Sequence, residues 1–259
     1  MSLENELRDL ARLEGAEFFG VADLSVAHAA IVEQGGPEIG QYPRAISIGI
    51  GLLHSIVDQL SAQADARTAD LYRYYCYDLV NDRLDKAASR LSGMLQGKGW
   101  RALPVPAAPY ARDNERLCGI FSNKMAAHLA GLGWIGKSCL LVTPEAGPRA
   151  RWATVLTDAP LNATGGAMAP RCGDCRACVA ACPAKAFTGR PFRQEEPREA
   201  RFRARDCSDH LRKLNELNGR PVCGLCVKVC PHGIKASRKG QTSADLAPPA
   251  GQSPSEPKG

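Results

Sequence analysis

Eight of the eleven cysteines fall within the 59 residues from Cys172 to Cys230. The first run, Cys172-Gly173-Asp174-Cys175-Arg176-Ala177-Cys178-Val179-Ala180-Ala181-Cys182-Pro183, has the spacing C-x2-C-x2-C-x3-C-P. A second, shorter copy reads Cys223-Gly224-Leu225-Cys226-Val227-Lys228-Val229-Cys230-Pro231, and its missing first cysteine is supplied from upstream by Cys207. Three thiolates on one tight loop can hold three corners of an iron–sulfur cubane, while the fourth, ahead of a proline, points to a second cubane. Eight donors therefore suit two [4Fe–4S] clusters. By this crossed logic Cys172, Cys175, Cys178 and Cys230 hold one, and Cys182, Cys207, Cys223 and Cys226 the other.

Zinc also binds C-x2-C pairs, but it takes four ligands as two pairs. It has no use for a third cysteine at the same spacing or for the proline after the fourth. Disulfides are not indicated, because clustered cysteines in a chain without a secretory signal argue for metal ligation. The remaining three cysteines read as structural: Cys76 on a helix face, Cys139 in an apolar strand and Cys118 in a loop. The expected chemistry is electron transfer, with a low-potential donor of ferredoxin or flavodoxin type as partner.

Length and charge narrow the alternatives. A chain of 259 residues, 44% hydrophobic, can form one large domain or a core domain with a small appendage. The formal charge of +6 hints at nucleic acid. Four thiolates around each cubane leave roughly −2 per cluster, which brings the total to about +2 and removes most of that hint. The start, Met1-Ser2-Leu3-Glu4-Asn5-Glu6, lacks a basic region followed by an apolar run. No apolar stretch is long enough for a bilayer, so a cytoplasmic protein without membrane contact is expected.

The cysteines need a scaffold. Leu3, Leu7 and Leu10 mark a short helix stopping before Gly15. Phe18 to Leu24 and Ala45 to Gly51 read as strands. Val80, Leu84, Ala87, Leu91 and Leu95 mark one face of a long helix from Thr68 to Gly97, and Trp100 to Val105 reads as the next strand. A helix capped by Ser122 should end at Gly131, before strands Ser138 to Thr143 and Arg151 to Thr157. The fold class expected is α+β: a mixed α/β N-terminal domain (1–163), a small two-cluster bacterial-ferredoxin-like domain (164–235) and a disordered tail (236–259) rich in Pro, Ser, Gly and Ala.

The stretch Ala130-Gly131-Leu132-Gly133-Trp134-Ile135-Gly136-Lys137, with Leu140-Leu141-Val142-Thr143-Pro144 and Val155-Leu156-Thr157-Asp158, resembles the core of epoxyqueuosine reductases and their double-cluster relatives, which are similar to reductive dehalogenases. The resemblance is close from Ser122 to Pro231, holds in outline before that, and suggests a short paralogue. It implies a cobalamin-dependent reductase in which two [4Fe–4S] clusters feed a cobalt centre, acting on tRNA or on a small molecule. It also places Gly131, Gly133, Trp134, Gly136 and Lys137 in the cofactor pocket. The sequence departs from the pattern where the family carries an acidic proton donor. That position falls on Leu117, leaving Asp113 and Glu115 nearby as candidate acids. Two further readings compete: an electron carrier or activator that serves a partner protein without a corrinoid, and an RNA-binding module stapled by its clusters.

The other motifs are weaker. Gly49 and Gly51 form a lone G-x-G without the third glycine of a dinucleotide fingerprint. Tyr72, Tyr74, Tyr75 and Tyr77 beside Arg73 suit stacking on bases or a corrin, but equally suit packing.

Overall fold

The computed structural model describes residues 2–61, 66–108 and 112–238. Its centre is an antiparallel sheet of four strands, β1 (Phe18–Asp23), β2 (Arg44–Gly51), β3 (Ala102–Val105) and β4 (Ala150–Thr157), in the order β1-β2-β4-β3. Register pairs Phe18 with Gly49, Ser47 with Thr154 and Leu103 with Leu156. The two inner strands are buried almost throughout, because helices cover both faces.

Alternation along the strands decides which helix meets which face. Ile46, Ile48 and Ile50 of β2 and Ala153 and Val155 of β4 pack with Leu7 and Leu10 of the Leu3–Leu13 helix and with Leu84, Leu91 and Leu95 of the Leu79–Gly97 helix. Ala45 and Leu156 point the other way and meet Ile31 of the His28–Gly35 helix and Ala126 and Leu129 of the Asn123–Leu129 helix. The Leu3–Leu13 helix is capped by Ser2, whose hydroxyl accepts from the Asn5 N–H at 3.4 Å, and stops where Gly15 takes φ +84°. Gly49 is required by packing: a Cβ there would sit 2.6 Å from the Trp152 ring.

The sheet strands lie close to where the sequence places them, with four departures elsewhere. The expected long helix is interrupted by a π-helical turn at Tyr74–Asp78. Wider turns bring residues five apart onto one face, and two such pairs exist: Tyr72 lies edge-on to Tyr77 at 5.4 Å, and Arg73 donates to Asp78 at 2.9 Å. The expected strand over 138–143 shrinks to Leu141–Val142, paired with Trp134–Ile135, because Cys139 adopts φ +55° and breaks the extended backbone. A 15-residue helix, Ala204–Asn218, that hydrophobic spacing did not disclose carries Cys207. Residues 236–238, assigned to the tail, end the Pro231–Arg238 helix; the rest of the expected tail lies outside the described residues.

No helix among the described residues is long and apolar enough to cross a membrane. Past β4 the chain runs without regular secondary structure to the first cysteine loop. It is pinned on the way: Thr164 donates from its hydroxyl to the Ala130 carbonyl at 3.1 Å and accepts the Val21 N–H at 3.0 Å.

Candidate functional site

The first cysteine loop is a tight turn in which the Cys175 N–H bonds the Cys172 carbonyl at 3.0 Å and Gly173 takes φ +48°. The four-residue helix Ala177–Ala180 then carries Cys178. Cys182 follows, its sulfur accepting the Ala186 N–H at 3.4 Å across a turn closed by Lys185 at φ +50°. In the second copy Gly224 (φ +73°) opens the helix Leu225–Lys228, which holds Cys226, and Cys230 precedes the Pro231–Arg238 helix.

Electrostatic contact among the thiols sorts them into two sets. Burial pushes the Cys178 thiol up to about 11, and the neighbours that add to it are Cys172, Cys230 and Cys175. Burial likewise pushes Cys207 to about 11, with Cys182 and Cys223 adding. Cys226 is raised further, first by burial and then by Cys223, Cys207 and Cys182, with Cys178 a smaller contributor. The structure thus brings Cys172, Cys175, Cys178 and Cys230 together, and Cys182, Cys207, Cys223 and Cys226 beside them. Among the described residues, no three His, Cys, Asp or Glu side chains close to the distance one metal ion requires. The donor set, eight soft sulfurs in two groups of four, fits two cubanes, whose iron atoms spread over a larger volume than a single ion.

The loop from Gly131 to Lys137 lies between the sheet and the first thiol group. Lys137 donates from Nζ to the carbonyls of Gly173 (2.6 Å) and Cys175 (3.2 Å), clamping the first cysteine loop. Trp134 is buried edge-on to His232 at 4.8 Å, with Arg171 over its ring. A Cβ on Gly136 would lie 3.6 Å from the Cys172 sulfur; one on Gly133 would strike the Val142 carbonyl, and Gly131 (φ +78°) abuts the backbone of Gly165 and Gly166. The neighbours of these glycines are protein atoms. The loop leaves no open cradle for a planar ring, so these five residues do not by themselves fit a corrin.

The second cysteine copy is embedded in the α/β layers. Val227 is buried in the same core as Leu60 and Tyr72. Gly224 has no room for a side chain, since a Cβ would sit 2.7 Å from the Tyr72 ring. Arg149, fully buried, donates to Asp58 (2.7 Å) and to the Lys228 carbonyl (3.4 Å) and contacts His54 Nδ1 at 3.1 Å. Lys228 in turn donates to the Leu60 carbonyl.

A cleft of about 1030 Å³ opens beside the Asn123–Leu129 helix. One wall is the start of the Asn123–Leu129 helix with Ser122, Lys124 and Met125; a second is Ile135 and Cys139; the third comes from the segment between Cys182 and Cys207. That segment is stitched to the α/β part: Arg198 donates to the carbonyls of Leu117 (3.0 Å) and Arg116 (2.5 Å), and Arg205 to that of Glu115 (2.8 Å).

The candidate acids separate here. Glu115 and Leu117 line the cleft, and Asp113 is not among the lining residues. The Asp113 carboxylate accepts the N–H groups of Glu115 (2.8 Å) and Arg116 (2.9 Å), and these bonds hold its carboxyl below the ordinary range, which suits a turn cap and not a proton donor near neutrality. Leu117 takes φ +52°, uncommon for a leucine, so the donor position is both apolar and strained. Of the tyrosines, Tyr72 is core, Tyr77 lies under Arg151, and Tyr74 and Tyr75 are exposed against each other.

Sequence reasoning missed Lys124, Arg198 and Arg201. Lys124 donates from Nζ to the Cys139 carbonyl at 2.7 Å, and burial pushes its ammonium below the usual lysine range. The signals were thin: a lysine two residues after the expected cap, and a basic run between the fourth and fifth cysteines.

Comparison with known proteins agrees with this layout. The family model for a 4Fe-4S double cluster binding domain matches residues 171–233. The epoxyqueuosine reductase of Pseudomonas aeruginosa is 28% identical over 247 residues, covering 90% of this chain and 63% of the relative. Among solved structures, an epoxyqueuosine reductase with an epoxyqueuosine-modified tRNA-Tyr stem loop aligns at TM-score 0.57 and 18% identity, covering 90% of this chain and 65% of that one. A reductive dehalogenase, described for B12-dependent dehalogenation, aligns at 0.62 and 17%, covering 90% and 33%. The chain spans less than two thirds of the length of the first of these relatives; it is similar to the epoxyqueuosine reductases and carries a double 4Fe-4S cluster binding domain.

Proposed function

We propose that this chain is an iron–sulfur reductase in which two four-cysteine groups hold clusters that would deliver electrons to a substrate in the neighbouring cleft. The observation that carries the reading is the juxtaposition: the cleft wall ends at Asp206, and the next residue, Cys207, belongs to the second thiol group. When bound, two cubanes supply one-electron steps at low potential. The chain's own residues do the rest. The eight thiols give up their protons on ligation, Lys137 and Arg149 hold the two cysteine loops through the carbonyls of Gly173 and Lys228, and the cleft has apolar walls at Phe121, Met125 and Ile135.

Glu115, exposed at the rim, is the carboxylate we propose for proton delivery, since Asp113 is committed to its turn. Epoxyqueuosine in tRNA is the substrate to which the similarity points, and cobalamin the cofactor. Leu117 at the donor position and the filled glycine loop argue for a different, smaller substrate.

Anaerobic reconstitution with iron and sulfide analysis, followed by EPR of the reduced state, tests the core of this reading. Close to eight irons and two interacting cubane signals are expected; stoichiometric zinc without sulfide sinks it. Two further experiments settle the finer points. Cobalamin titration read by absorbance should show no tight complex that depends on Gly133. Complementation of a strain lacking epoxyqueuosine reductase should fail, and restored queuosine would show that another group protonates the substrate.

A further inference from the structure

Two cations on the cleft wall, Lys124 and Arg201, have no carboxylate at ion-pair distance among the described residues, and Arg198 beside them is paired with Glu199. Lys124 has one polar partner, the Cys139 carbonyl, and no carboxylate at ion-pair distance among the described residues. Arg201 is 6% exposed. Its Nη1 donates to the carbonyls of Arg193 (2.9 Å) and Glu196 (3.3 Å), its guanidinium lies 4.8 Å over the Phe192 ring, and its Nε is buried with no partner. Arg198 pairs with the exposed Glu199 through Nε (3.0 Å) and Nη2 (2.7 Å), a contact that solvent screens, and donates its other bonds to the Leu117 and Arg116 carbonyls. Arg198 and Arg201 both stand near enough to Lys124 to disfavour its charge.

Like charges gathered between apolar walls repel one another strongly, because the local dielectric is low. The deep carboxylate on this wall, Glu196, is engaged by Arg190 through one oxygen, and its other oxygen is buried without a partner. Glu33, Glu115 and Glu195 sit at the exposed mouth, where water moderates them. What relieves the repulsion is an anion entering the cleft. A volume of about 1030 Å³ admits a small molecule rather than a folded nucleic acid.

We propose that the cleft binds a small anionic substrate, one carrying a carboxylate or phosphate group, through Lys124, Arg198 and Arg201. This rests on the reductase reading and names its substrate class. Two of the three cations come from the segment between the cysteine copies, so the same segment that leads into the second thiol group would also position the molecule to be reduced. Lys124 would supply the charge, and the guanidinium of Arg201, already oriented over Phe192, the directional hydrogen bond.

The test uses the full-length, cluster-loaded protein under anaerobic conditions at low ionic strength, titrated calorimetrically with inorganic phosphate and, separately, with succinate. Saturable one-to-one binding of at least one probe is expected, and the stronger of the two identifies the oxyanion. Lys124→Gln should weaken it about tenfold to a hundredfold, as loss of a charge-assisted hydrogen bond does, and Lys124→Arg should restore much of it. Absence of saturable binding of both probes by the native protein, or unchanged binding by Lys124→Gln, overturns the proposal. Should Lys124→Gln fail to retain its iron, reductive 13C-methylation of the native protein replaces it. The Lys124 resonance must then titrate at higher pH when the probe is added, and no movement overturns the proposal equally. Iron and sulfide are measured on the same sample, so a fully loaded protein that ignores both probes defeats this inference and leaves the reductase reading standing.

Discussion

Asp58 looks like a surface residue whose loss should matter little, yet its partner does not share its surroundings. The Arg149 side chain is 0% exposed while that of Asp58 is 46% exposed, and they meet at 2.7 Å. An exposed pair is worth about 0–1 kcal/mol. Stripping the partner from a buried charge costs about 3–5 kcal/mol. With one end buried and the other wet, Asp58→Ala should cost about 2–3 kcal/mol, because Arg149 keeps only His54 and one long bond to the Lys228 carbonyl. Arg149→Met should cost less, about 1–2 kcal/mol, since the carboxylate left behind can hydrate. The double variant should resemble Arg149→Met alone, giving a coupling of about 2 kcal/mol. Anaerobic urea unfolding followed by circular dichroism, on apo and loaded protein in parallel, reads these differences. In thermal melts Asp58→Ala should drop by about 5–10 °C. If Asp58→Ala stays within about 0.5 kcal/mol of the native protein, the buried-cation argument is wrong.

Other expectations are more direct. Cys182→Ala should disable mainly the cluster of Cys207, Cys223 and Cys226, and Cys230→Ala the one of Cys172, Cys175 and Cys178; each should leave about four irons, and Cys207→Ala retaining eight would remove it from the ligand set. Gly133→Ala should destabilise the Trp134–Ile135 and Leu141–Val142 pairing by about 1–3 kcal/mol, seen as reduced iron retention on heating, since its Cβ would strike the Val142 carbonyl. His54 and His128 are both held below the ordinary histidine range, first by burial. The unfolded chain therefore binds more protons than the folded one as pH falls through about 6.5, and stability should drop from there downward. His128→Asn should flatten part of that slope, and an unchanged pH profile would remove His128 as its source.

What was legible in the sequence follows from what is local. Cysteine spacing is a statement about one loop, and Cys172, Cys175 and Cys178 suggest three corners of a cubane, while the proposed fourth, Cys230, comes from far along the chain. The strands of the sheet read well because Ile46, Ile48 and Ile50 must all face apolar neighbours. The π-helical turn at Tyr74–Asp78 was hidden, since its cause is the pairing of Tyr72 with Tyr77 across a wider turn. The glycine loop showed its family resemblance and concealed its local role, because only the fold brings the Val142 carbonyl and the Cys172 sulfur against it. Lys124, Arg198 and Arg201 are 74 and 77 residues apart in the chain from the first to the others, and no local pattern announces that they share a cleft.

Val227 has one more consequence, for how the molecule is made. The sheet cannot close until Ala150–Thr157 has left the ribosome, because that strand joins β2 to β3. Even then the core around Leu60 and Tyr72 waits for a helix that carries Cys226, one of the proposed cluster ligands, beside Val227. Seating of this helix and ligation at Cys226 should therefore favour one another. A cell short of iron would hold newly made copies with that helix loosely seated and the apolar surface beneath it open to proteases, so the abundance of this protein should rise and fall with the supply of its metal.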